Sequence, residues 1–187
     1  MSTSHFSRLM IAQGLKALLK TESLETISIG DIAKQCQVSR STIYYHFKDK
    51  YDIVSWIFER EITPIVSQYR AVGDWTENLL AVFLYLQENK DFYIKVLRDD
   101  GQNSFREYLT DYCRYMIVHM FQQSQGDRVL QPNVIQTTAD IYSYGLVGII
   151  TNWSRGGMAE DPRPVVSTVK ALISGDVFAR MRSLSQD

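Results

Sequence analysis

Nowhere in its 187 residues does the chain alternate apolar and polar side chains between hairpin-turn signals, and its four prolines (Pro64, Pro132, Pro162 and Pro164) all lie beyond residue 63. Apolar residues recur instead three and four positions apart. A chain of this kind buries itself by packing helix on helix, so the expected fold class is all-α. Hydrophobic residues make up 45% of it and aromatic ones 12%, enough to fill the core of one or two domains and to exclude a disordered tail or a stapled mini-protein.

The periodicity predicts about nine helices. Ile11, Leu15, Leu18 and Leu19 share one face opposite Gln13, Lys16 and Lys20, which places the first over residues 5–21. Ser28 with Asp31 resembles a capping box for a short second helix to Cys36, and Ser39 caps a third. Asp49 starts a fourth along Ile53, Val54, Ile57, Phe58, Ile62, Ile65, Val66 and Tyr69, which Pro64 should kink or break. Asp74 with Glu77 forms a capping box for the fifth, and Phe92 to Arg98 carry the sixth. A seventh runs from about Asn103 to Gln123 between Gly101 and Gly126-Asp127. Asn133 caps an apolar eighth that ends at Gly156-Gly157, and Asp161-Pro162 opens a ninth to about Leu184.

Several function classes drop out at this level. Cys36 and Cys113 form no CxxC and have no neighbours at zinc-ligand spacing, so neither a disulfide framework nor a metal site is expected. A reducing cytoplasm is the simplest setting. The start MSTSHFSR has no apolar signal region, and the longest apolar stretch, Tyr144 to Ile150, is far short of a bilayer span. With three histidines and no GxSxG, P-loop, HExxH or Rossmann glycine pattern, no catalytic set and no cofactor site is indicated. The net charge of −1 hides an asymmetry: residues 1–51 carry +3 and the remaining 136 carry −4.

That basic segment holds the run SIGDIAKQCQVSRSTIYYHFKDK, residues 28–50. Two short helices flank the turn Cys36-Gln37-Val38-Ser39, and Ile29, Ile32, Ala33, Val38, Ile43 and Phe47 can converge on one small core, which is helix-turn-helix spacing. Arg40, Ser41, Tyr44 and Tyr45 then project outward, near the start of a helix able to reach base edges in a major groove. Thr42, Tyr45, His46 and Lys50 offer donors for phosphates. With the two capping serines, the candidate DNA-contacting set is Ser28, Ser39, Arg40, Ser41, Thr42, Tyr44, Tyr45, His46 and Lys50.

These residues resemble the TetR/AcrR family of transcriptional regulators, whose N-terminal domain ends in a pattern like V-S-x-x-T-(L/I)-Y-x-(H/Y)-F-x-x-K, here Val38 to Lys50. The likeness extends over residues 8–55. It implies a DNA-binding homodimer that reads double-stranded operator DNA, with residues 1–50 as the reading domain and 51–187 as a sensing and dimerisation domain. Where the family commonly has glycine in the turn this chain has Gln37, so a non-glycine residue is expected at positive φ, at a cost of roughly 1–2 kcal/mol. In the C-terminal part, Trp56 to Glu59, Trp75 to Leu80, Tyr85 to Asn89 and Asp91 to Tyr93 resemble the branch of activators of dihydroxyacetone kinase operons. Some members of that branch respond through a coregulator protein instead of a small-molecule effector, so an adaptor acting through protein contacts stands as the alternative.

For an effector, the candidate lining is Tyr85, Phe92, Tyr108, Tyr112, Met116, His119 and Trp153, aromatic or polar-tipped residues that equally suit an ordinary core. The dimer is expected through residues 133–155 and 161–184. Gly145 and Gly148 point to a close helix approach, either within one subunit or between two.

Overall fold

The computed structural model describes residues 3–67, 75–99, 104–124 and 131–173, and within them the chain forms nine helices and no strand. They are α1 (Thr3–Leu18), α2 (Ile29–Cys36), α3 (Arg40–His46), α4 (Lys50–Ser67), α5 (Trp75–Glu88), α6 (Lys90–Arg98), α7 (Phe105–Ser124), α8 (Pro132–Arg155) and α9 (Arg163–Ile173). None is long and apolar enough to cross a membrane.

The local signals act at most of the helix ends. Ser28 and Asp31 form a complete capping box: the serine hydroxyl accepts from the Asp31 amide at 3.2 Å while the Asp31 carboxylate accepts from the Ser28 amide at 2.9 Å. Asp49 caps α4 by accepting from the Asp52 amide at 2.8 Å. Pro64, however, lies inside α4, which continues to Ser67 without a break. Proline and Arg60, four residues earlier, are both exposed, so the carbonyl that loses its partner turns to water. At α8, Pro132 takes the first helical position with Gln131 before it, one step ahead of the expected Asn133 cap. Asp161 caps α9 through the Arg163 amide at 3.0 Å. Asp74, Gly101, Gly126-Asp127 and the expected end at Leu184 lie outside the described residues.

One hydrophobic core runs from Ile11 and Leu15 in α1, through Ile32, Ile43 and Phe47, to Phe58, Phe83, Tyr93, Phe105, Ile150 and Val166. Within the first three helices, α2 crosses α1 at Gly14, where any Cβ would collide with the Cys36 sulfur. Two lysines clamp the chain between elements. Lys95 of α6 donates to the Leu19, Lys20 and Glu22 carbonyls just beyond the C-terminal end of α1. Lys16 of α1 pairs with Glu61 of α4 and lies 5.0 Å from the Phe92 ring centroid.

Candidate nucleic-acid interface

Between α2 and α3 the chain reverses in two residues. Gln37 sits at φ 55° and ψ 41°, its amide donating to the Lys34 carbonyl at 3.2 Å, while the Val38 amide reaches Ala33 at 3.0 Å. This is the paired bonding of a left-handed helix stop, here made without glycine. Ser39 then starts α3, its hydroxyl accepting from the Thr42 amide at 3.1 Å and lying 2.7 Å from the Ser41 hydroxyl and 2.8 Å from that of Thr42. Three hydroxyls thus cluster at the start of the seven-residue α3.

Ile43 and Phe47 anchor α3 to the core, which rotates Arg40, Ser41, Tyr44 and Tyr45 to the outside. Tyr44 is 58% and Tyr45 81% exposed, although both are large and partly apolar. Tyr45 meets the half-buried His46 ring edge-on, centroids 4.9 Å apart. Arg40 stretches away from α3 to Gly30 in the first turn of α2: a Cβ built there would lie 2.6 Å from a terminal guanidinium nitrogen. The Asp31 carboxyl is held below the ordinary carboxylate value of 3.8, chiefly by hydrogen bonds from the Ser28 hydroxyl and amide and in smaller part by the Lys34 and Arg40 charges.

Two of the expected DNA contacts are otherwise engaged. Lys50 directs its ammonium away from solvent and donates to the Leu24, Glu25 and Ile27 carbonyls at 2.7, 2.9 and 3.0 Å. Its three protons are engaged by the loop between α1 and α2, an arrangement that competes with the phosphate contact expected of Lys50. Ser28 likewise gives its hydroxyl to Asp31, 2.6 Å away, and acts as a cap. Lys48, which the sequence reading did not single out, is an exposed cation between α3 and α4.

In the C-terminal part, Tyr85, Phe92, Tyr108 and Tyr112 come together through three further rings, Phe58, Tyr93 and Phe105, outside the candidate lining. Tyr93 lies 6.2 Å from Tyr85 and 5.0 Å from Phe92, and Phe58 lies 5.3, 6.1 and 5.2 Å from Phe105, Tyr108 and Tyr112. Glu61 is the polar centre of this chain of rings: the Tyr93 hydroxyl donates to it at 3.0 Å, and Tyr85 bonds to it as well. Burial pushes the Tyr108 and Tyr112 phenols up to about 12, and those of Tyr85 and Tyr93 are also raised by burial and by Glu61. Met116 is half-buried on the same helix as Tyr112. His119 and Trp153 do not join them. His119 is exposed and stacks on Tyr115, and Trp153 packs on Phe83 while donating to the Glu160 carbonyl at 3.2 Å.

Residues 10–55 match the family described as bacterial regulatory proteins, tetR family, and residues 73–175, more than half of the chain, match its transcriptional regulator C-terminal region. The chain belongs to the TetR family. It is therefore a transcriptional regulator with an N-terminal helix-turn-helix. Among TetR-family relatives, the HTH-type dhaKLM operon transcriptional activator DhaS of Lactococcus lactis is 30% identical over 96 residues, which are 51% of this chain and 51% of DhaS. That match thus spans about half the length of the relative. The solved structure of the dihydroxyacetone kinase operon activator DhaS superposes with a TM-score of 0.63 at 20% identity, covering 92% of this chain and 97% of that one. FadR from Bacillus subtilis, solved in complex with stearoyl-CoA, gives 0.59 at 18% identity over 89% and 98%. At such identities these two structures establish that the TetR-like fold is shared.

Proposed function

We propose that the chain binds operator DNA as a homodimer in the cytoplasm, reading base edges with Arg40, Ser41, Tyr44 and Tyr45 and meeting phosphates with Lys48, the Ser39–Thr42 hydroxyl cluster and His46. The observation that carries this reading is the outward face of α3, where two large tyrosines stand mostly in solvent while Ile43 and Phe47 behind them do the anchoring. Aromatic and guanidinium groups at the start of a recognition helix suit groove contact, and hydroxyls and lysine at its margins suit the backbone.

The division proposed is reading by residues 1–50 and sensing and dimerisation by residues 51–187. Support for the dimer comes from α8. Ile141 is 66% and Tyr144 63% exposed, Val134 and Ile149 are exposed beside them, and Gly145 and Gly148 on the same stripe have nothing of their own chain within 4 Å of a Cβ position. Paired reading of two half-sites about 34–36 Å apart needs such a second copy.

The sensing role rests on the rings around Phe58 and on Glu61 within them. A ligand with a long apolar part and a polar end, the class represented by the acyl-CoA bound to FadR, fits that chemistry. Selection of bound fragments from a genomic library, followed by isotherms on selected and scrambled duplexes, tests the reading. Tighter binding to the selected duplex supports it; equal, weak binding to both replaces it with the adaptor function.

A further inference from the structure

Arg40 does not leave α3 into open solvent. A Cβ on Gly30 would lie 2.6 Å from one terminal nitrogen of its guanidinium and 3.2 Å from both the central carbon and Nε, so the flat group rests on bare backbone. Among the described residues no carboxylate lies within ion-pair distance of Arg40. Asp31, next to Gly30, is occupied by the Ser28 hydroxyl and amide and contributes only its field. The guanidinium is therefore held by contact, with its N–H donors unspent.

We propose that Gly30 is a specificity-positioning residue: the missing side chain makes a shelf across the start of α2 that holds Arg40 extended for base reading. This rests on the DNA-reading function proposed above. The physical case is that a long arginine gives up much rotamer freedom when it docks in a bidentate geometry, and a group already confined to one direction gives up less. A Cβ at Gly30 would collide with the terminal nitrogen at 2.6 Å and crowd the central carbon and Nε at 3.2 Å, so the guanidinium would have to move. The atoms it would strike are the far end of a flexible side chain, so the substitution moves Arg40 and leaves the fold intact.

The test uses the full chain as wild type, Gly30→Ala, Arg40→Ala and the double variant, against the selected operator and duplexes altered one base pair at a time. Wild type should discriminate at one base pair of each half-site. Gly30→Ala should lose that discrimination by a factor of roughly 5 to 150, the range of one bidentate contact. The double variant should discriminate no worse than Arg40→Ala, since both remove one contact. Alanine is the better helix former, so the melting temperature of Gly30→Ala should not fall. The Arg40 Nε–H resonance of DNA-free protein should shift and exchange faster in Gly30→Ala. Full base preference in Gly30→Ala, a tightening of it, or equal weakening on every duplex overturns the proposal. Absence of base preference in the wild type overturns instead the DNA-reading function on which it rests.

Discussion

Replacing Lys50 with methionine keeps the length of the stem and deletes the ammonium that bonds three carbonyls at 2.7, 2.9 and 3.0 Å. Hydrogen bonds to a charged group contribute about 1.5–3 kcal/mol each when one partner is removed. The three do not count equally. Glu25 is exposed and its carbonyl can return to water, whereas Leu24 and Ile27 are each 1% exposed, so their carbonyls are poorly placed to do so. Two effective bonds give a loss of about 3–6 kcal/mol, a large share of the roughly 5–15 kcal/mol that holds a protein folded. For a chain of this length that lowers the melting temperature by roughly 6–24 °C. Urea denaturation gives the free energy, and binding isotherms at several salt concentrations give the number of phosphates met. Lys50→Met should lower the first and leave the salt slope of the folded protein unchanged; Lys48→Ala should do the reverse, reducing the slope by about one per subunit. An unchanged urea midpoint in Lys50→Met together with a reduced slope would refute this reasoning and favour the phosphate contact of Lys50.

Gln37→Gly should raise stability by about 0.5 kcal/mol, since relief of the left-handed strain at φ 55°, roughly 1–2 kcal/mol, is partly offset by the freer unfolded chain; calorimetry checks the sign. The tyrosine cluster should resist ionisation: phenols raised when folded stabilise the native state fully below the ordinary value of 10 and lose that contribution as pH rises through about 12. Ultraviolet titration should therefore show tyrosinate from Tyr108 and Tyr112 only near pH 12, and their ionisation near pH 10 with the native circular dichroism intact would contradict the burial. Asp31 works in the opposite direction, its depressed value giving stability that is present above 3.8 and lost as pH falls further, so Asp31→Asn should flatten the acid limb of a stability profile. Gly145→Arg should leave the monomer folded, there being open space at that Cβ, and shift sedimentation toward the monomer; an unaltered dimer would place the interface elsewhere.

What the sequence disclosed and what it withheld divide by distance along the chain. The box at Ser28, the cap at Ser39 and the left-handed Gln37 are legible because every group they use lies within five residues. The loop bonds of Lys50 are not legible because its acceptors lie 23 to 26 residues away in a loop with no periodicity, and a lysine after a recognition helix looks the same whether it faces DNA or its own backbone. Gly30 gave no sign, since the arginine it supports starts ten residues later. For the sensing set, the 3.6-residue stripe grouped Tyr108, Tyr112, Met116 and His119 on one face, but a stripe does not say where along its length the neighbouring helices stop covering it, and His119 falls beyond that point. Trp153 belongs to a different layer, fixed by Phe83 and by the turn at Glu160.

Lys95 gives the two halves of the molecule a mechanical relation. Its three bonds hold the chain just beyond α1, and the Lys16–Glu61 pair grips the last turn of that helix, so α1 is a beam pinned to the body at its C-terminal end by two contacts. A beam so held transmits rotation well and absorbs little of it. Any displacement of α6 against α4 by something lodged among the rings around Phe58 would load the two pins unequally and tilt α1. Because Gly14 presses α1 directly against α2, the tilt would reach the groove-facing helix with almost no slack. On the function proposed above, the separation of the two reading helices would thereby be set from the interior of the protein.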